Sequence, residues 1–229
     1  ASNANNVLTD FINTGVYDRN RKFYTTISPS MDILISSNLE RLIFNLSGND
    51  DKVMRKYMSK LQSDGAYTVS SEIFEKISNL FYGGYCTPED TLKTISNVFS
   101  EHNYLIDTHT AVAVNVYNNY KKETGDDAVT LLASTASPFK FADSVLSALG
   151  VDIDSDGEEL LKILSKTTGN KIPVPLSSIF EVEERFLDFA NREDLPEVAS
   201  QSVQPAPSAP APSPCCPCWY CACPDTFMA

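Results

Sequence analysis

Cysteine is nearly absent from most of this chain: Cys86 stands alone in the first 200 residues, and the other five crowd between positions 215 and 223. A single thiol in the body suits a reducing compartment and excludes a disulfide-stapled fold there. Basic charge is also scarce, with 18 Lys plus Arg against 30 Asp plus Glu and a net charge of −12. Such a surface repels phosphate backbones and anionic lipid, so neither nucleic acid nor a membrane surface is an expected partner. No apolar run approaches the length needed to cross a bilayer. The opening Ala1-Ser-Asn-Ala-Asn-Asn6 reads as neither a signal peptide nor an initiating Met. The body is therefore expected to be cytoplasmic.

What is present is enough for a real core: 229 residues, of which 42% are hydrophobic. Helical periodicity recurs. Val53, Met54, Tyr57, Met58 and Leu61 share one face, as do Ile73, Phe74, Ile77, Leu80 and Phe81, and then Leu92, Ile95, Val98 and Phe99. Near the start, Asn3, Asn5 and Asn6 offer caps to an apolar stripe of Val7, Leu8, Phe11 and Ile12 that Gly15 ends. Tyr104-Leu-Ile106 and Val129-Thr-Leu-Leu-Ala133 read as short buried strands, each followed by a polar turn and a helical pattern, Ala111 to Tyr120 and Phe139 to Leu149. Strand, loop and helix in repetition predict an α/β fold with parallel strands flanked by helices. In such a fold the first helix should follow a strand, so the natural chain is expected to continue upstream of Ala1. A last helix is expected from Glu181 to Asn191, carrying Phe186 and Phe189, before the composition turns to Pro, Ala and Ser. The expected division is a globular part, residues 1–197, and a disordered tail, residues 198–229.

The strongest local chemistry lies where the second expected strand opens into Ser134, Thr135 and Ser137, followed by Pro138 as a helix starter. In open α/β sheets ligands bind beyond the carboxyl ends of strands. On the residues alone, Ser137 is first a helix cap and Thr135 a loop hydroxyl. Asp107-Thr-His109 occupies the equivalent point after the first expected strand. With Ser134 it has the residue types of a hydrolase triad, but the Asp107–His109 spacing and the lack of a Gly-x-Ser-x-Gly elbow argue for loop capping instead. His102, on a polar helix end, reads as solvated. Asp152-Ile-Asp-Ser-Asp-Gly157 imitates a calcium loop, yet its twelfth position is Ile163 where a bidentate Glu is required, so an acidic cap for the helix from Glu158 to Leu164 is the better reading. Cys215, Cys218 and Cys221 repeat a Cys-x-x-Cys spacing with no insert between ligand pairs, which does not make a structural zinc site. Asn38 and Arg41 share one face of a further helix, where Arg has the fork geometry for phosphate but is commonly a surface residue.

Five segments taken together go beyond generic pattern: Ala1-Ser-Asn-Ala-Asn-Asn6, Asp10-Phe-Ile-Asn-Thr-Gly-Val-Tyr17, Ser30-Met-Asp-Ile-Leu-Ile-Ser-Ser-Asn38, Asp107-Thr-His-Thr-Ala-Val-Ala113 and Ser134-Thr-Ala-Ser-Pro-Phe-Lys-Phe141. In this order they resemble the second half of threonine synthase, over roughly residues 1 to 190. The resemblance implies part of a tryptophan-synthase-like (fold type II) enzyme that uses pyridoxal 5'-phosphate to convert O-phospho-L-homoserine and water to L-threonine and phosphate. It implies that the Thr135 hydroxyl meets the pyridine nitrogen of the cofactor. It also implies that Asn3, Asn38 and Arg41 border the substrate cleft.

The same resemblance places the Schiff-base lysine and the loop for the cofactor phosphate upstream of Ala1, so no catalytic residue is assigned. Lys140 falls beside the expected site in a packing or solvent role. The chain alone is expected to be inactive. The alternative is a non-catalytic acidic module that only associates with other chains through an exposed sheet edge; a third reading, another pyridoxal-phosphate enzyme acting on a related amino acid, is disfavoured by the combination of the five segments.

Overall fold

Two adjoining cores, built from short helices and strands, carry the loops of interest. The computed structural model describes residues 1–183 and 191–195. Residues Ala1–Val182 form one unit; of the other, Glu183–Ala229, only residues 183 and 191–195 are described. The last expected helix thus lies mostly outside the described residues, as do the Pro/Ala-rich tail and its cysteines.

The first core is assembled from α1 (Val7–Thr14), β1 (Val16–Asp18), α2 (Leu39–Leu46), α3 (Asp51–Ser63), β2 (Ala66–Thr68) and α4 (Ser71–Leu80). Strands β1 and β2 pair antiparallel, Tyr17 opposite Tyr67. Their side chains stack with ring centroids 5.4 Å apart, Tyr57 stacks on Tyr67 from α3 at 5.2 Å, and Phe11 meets both strand tyrosines edge-on. Buried aromatic pairs in these geometries add to the area they remove from water. The stripe read from Val7, Leu8, Phe11 and Ile12 forms α1, with Val7 and Phe11 fully buried. Gly15 ends it in the left-handed region at φ 73°, its N–H bonding the Phe11 carbonyl. This is the αL stop that favours glycine.

The second core joins α5 (Pro88–His102), α6 (Thr108–Thr124), α7 (Ala142–Ala148), α8 (Gly157–Thr168) and α9 (Val174–Ser177) around Ile95, Ala111, Phe139, Val145, Leu146 and Leu164. Helices α3 to α6 cover the periods read from the sequence except Phe81, which is extended just past α4, and each has a side-chain cap: Asp50, Ser70, Thr87 and Asp107. The pattern from Phe139 to Leu149 divides into a 3₁₀ turn, Pro138–Phe141, and α7. Asp156 occupies the N-cap position of α8 without a side-chain capping bond.

The two expected strands depart from the prediction. Residues 104–106 and 129–133 are unpaired chain, and among the described residues the one parallel pairing is an isolated bridge between Ser2 and Tyr85. Val129 is 97% and Leu131 93% exposed. A strand exists only through a neighbour's hydrogen-bond ladder, and no described segment forms one with either run, although Ile106 is buried in the second core. Composition marked both runs as burial-prone, and burial is realised at Ile106 but not at Val129 or Leu131.

Candidate functional site

Two loops and one helix start come together around a buried carboxylate. Asp107 is the N-cap of α6 and is fully buried. Its Oδ2 accepts from the backbone N–H of His109 and lies 2.9 Å from His109 Nδ1. Its Oδ1 accepts from the Thr110 backbone N–H and from the Thr110 hydroxyl. Because the carboxylate only accepts, His109 carries its proton on Nδ1, which leaves Nε2 as an acceptor. That nitrogen takes the backbone N–H of Ser30 at 3.2 Å. The imidazole is packed against the Phe141 ring, centroids 4.7 Å apart.

On the other side, Thr110 Oγ1 and Ser134 Oγ are 2.9 Å apart. The Thr110 proton goes to Asp107, so Ser134 is the donor in that contact. The hydrolase triad is thereby excluded on geometry. Asp107 and His109 do bond, but the acceptor nitrogen of His109 faces a backbone amide and not Ser134. Ser137 Oγ accepts from the Phe139 N–H at 3.3 Å, the capping role read from the sequence. Of the three hydroxyls in this loop, Thr135 is the one with no intramolecular partner among the described residues, and it is exposed. Lys140 is also exposed, its Nζ lying 5.7 Å from the centroid of Phe141. Thr110 and Ser134 border a groove of about 730 Å³ between α5 and α6, which Asn97, Asn115 and Leu132 also line.

The other predicted residues fall in two places. Asn3 is buried (2% exposed), and its amide group lies within hydrogen-bond distance of Thr26 Oγ1, Ser28 Oγ and Asp32 Oδ1. Its Oδ1 accepts from the Asn5 N–H. Asp32 further accepts from the Asn5 side chain and from the backbone and hydroxyl of Thr26. Asn3 therefore holds the loop that carries Ser28 and Ser30. Asn38 and Arg41 stand together at the exposed start of α2, the Arg41 guanidinium donating to Asn38 Oδ1. Tyr17 pins the approach to them: its hydroxyl donates to the Leu34 carbonyl and accepts from the Ser36 N–H, both at 2.9 Å. Among the described residues no hydrogen bond joins Asn3 to the Asn38–Arg41 pair, or Thr135 to either.

Sequence reasoning missed Ser30, Asp32 and Thr110. The Asp107-x-x-Thr110 spacing is a capping signal that could have identified Thr110. Nothing local announces that the Ser30 amide meets His109, 79 positions away. No group of three or more His, Cys, Asp or Glu placed to hold a metal occurs among the described residues.

Residues 110–201 match the family model described as threonine synthase, C-terminal. Human threonine synthase-like 1 is 38% identical over 66% of this chain and 20% of its own length; yeast threonine synthase is 35% identical over 65% of this chain and 32% of its own. Among solved structures, pyridoxal-phosphate-bound threonine synthase from Brucella melitensis superimposes with a TM-score of 0.58 at 35% identity, covering 71% of this chain and 34% of that one. Yeast threonine synthase superimposes with a TM-score of 0.72 at 28% identity, covering 88% and 41%. The fold is thus that of part of a fold type II pyridoxal-phosphate enzyme, here helix-rich with one small sheet. Within that class, the relatives it matches are threonine synthases and a threonine synthase-like protein, and residues 110–201 are the part similar to the C-terminal family model. The chain spans between about a fifth and a third of the length of these curated relatives.

Proposed function

We propose that this chain supplies one wall of a threonine synthase site, acting in the conversion of O-phospho-L-homoserine and water to L-threonine and phosphate in the cytoplasm. The observation that carries this reading is the exposed hydroxyl of Thr135, which has no hydrogen-bond partner among the described residues while Ser134 and Ser137 each have one. A ring nitrogen placed against it would find a neutral partner, which orients the cofactor without enforcing a protonated ring. Pyridoxal phosphate, when bound, supplies the electron sink for the reaction. The chain's own residues do the rest of what this wall can do. Thr135 orients the ring, Arg41 and Asn38 offer donors to an anionic substrate group, and Asn3 acts on the same side through the loop it holds. Lys140, exposed and set over Phe141, keeps a packing or solvent role.

The functional module is proposed to be residues 1–197, with residues 198–229 outside it. A chimera in which residues 1–197 replace the matched part of yeast threonine synthase tests the function. It is expected to release phosphate from O-phosphohomoserine and to support growth without threonine. In it, Thr135→Ala should lower kcat/KM about tenfold, the scale of one lost hydrogen bond in the transition state, with thermal stability unchanged. A folded chimera that binds cofactor but releases no phosphate would overturn the reading. Given pyridoxal phosphate and borohydride, the unaltered chain should yield no adduct on any single lysine.

A further inference from the structure

Asp107 does two things at once, and the two are chemically separate. Through Oδ2 it sets the tautomer of His109, whose Nε2 then holds the Ser30 N–H in the turn Pro29–Met31. Through Oδ1 it takes the Thr110 proton, so that Thr110 Oγ1 is left to accept from Ser134, next to Thr135. The first arm reaches the segment that leads to Asn38 and Arg41. The second reaches the loop that carries Thr135.

We propose that Asp107 is a positioning residue that registers these two loops against each other, one carboxylate oxygen for each. A cap of α6 alone would need one acceptor oxygen. Here both oxygens are fully buried, each accepts from a backbone N–H and from a side chain, and each side chain passes the order outward to a different loop. The benefit to a reaction comes from geometry. Groups that must face one substrate from two loops need a common reference, and a buried carboxylate with fixed hydrogen-bond polarity provides it. That both loops bear on one substrate rests on the function proposed above; the linkage through Asp107 does not.

The test uses nuclear magnetic resonance on the full chain without cofactor, reading amide exchange at Ser30 and backbone order at Ser134 and Thr135. Asp107→Ser keeps an N-cap oxygen but has only one, so a pure capping role is rescued and a two-arm role is not. Expected for Asp107→Ser is exchange at Ser30 faster by about tenfold and a drop in order at Ser134 and Thr135, while α3 amides stay as protected as before. His109→Phe, which keeps a ring against Phe141, should release Ser30 only. Thr110→Val should loosen Ser134 and Thr135 only. Wild-type behaviour of Asp107→Ser at both loops would overturn the proposal, as would either single-arm variant disturbing both loops equally. If Asp107→Ser does not fold, the opposed selectivity of the two single-arm variants decides the matter. None of these readouts depends on threonine formation, so a failed chimera and a failed linkage are distinguishable.

Discussion

A buried side-chain amide has few acceptable neighbours, and those of Asn3 all come from the protein itself. Its amide group and Oδ1 meet Thr26, Ser28, Asp32 and Asn5, with no water needed to satisfy them. Leucine at this position would keep the volume but leave Asp32, Thr26 and the Asn5 N–H short of partners in a buried setting. Asn3→Leu is expected to cost about 1–3 kcal/mol, the penalty of unsatisfied buried polar groups, measured by urea denaturation. Cys86 gives a residue-scale prediction with a pH sign. Burial pushes its thiol up from the ordinary 9.0, opposed in part by its contact with Thr91. A raised folded value means that the native state keeps the proton when the unfolded state has begun to lose it. The associated stability is present below the ordinary thiol range and is lost as pH rises through the folded value. Iodoacetamide should therefore modify Cys86 in the native chain at least about tenfold more slowly than in the urea-unfolded chain near pH 8, since the thiolate is the nucleophile.

At the scale of elements, the turn from α1 into β1 is the most constrained. Gly15 combines φ 73° with close neighbours: a methyl group there would stand 3.0 Å from Phe74 Cδ2 and 3.3 Å from Val69 Cγ2. Gly15→Ala must meet both the left-handed backbone and the packing against α4. It is expected to destabilise by at least about 1 kcal/mol, read as a lowered midpoint with an unchanged urea slope. Because β1 carries Tyr17, and Tyr17 pins residues 34 and 36, the same change should disturb the Asn38–Arg41 pair, visible as shifted amide resonances at the start of α2.

At the scale of the molecule, both cores lie within Ala1–Val182. If residues 198–229 stand outside the functional module, a chain ending at 197 should melt within about 0.5 kcal/mol of the full chain, the range of changes that touch no packed feature. A larger loss would move the boundary of the module. The charge of −12 acts at this scale too. It bears on solubility and on what the surface repels, and it leaves the fold and the site chemistry undetermined.

Much of the element structure was written in local pattern. The periods at Val53 to Leu61 and Ile73 to Phe81, the Gly15 stop and the Ser137 cap depend on neighbours within a few residues, so the chain alone states them. The five ordered segments also point to the threonine synthases without any coordinates. What the tertiary structure decided was every relation that spans the chain. Among the described residues it left Val129 and Leu131 without a ladder and Thr135 without a hydrogen-bond partner, turned His109 toward Ser30 instead of Ser134, and buried Asn3 in the Asp32 network. Hydrophobicity and capping are local quantities, whereas the pairing of strands and the direction of a buried proton are settled only by which distant group arrives to accept it.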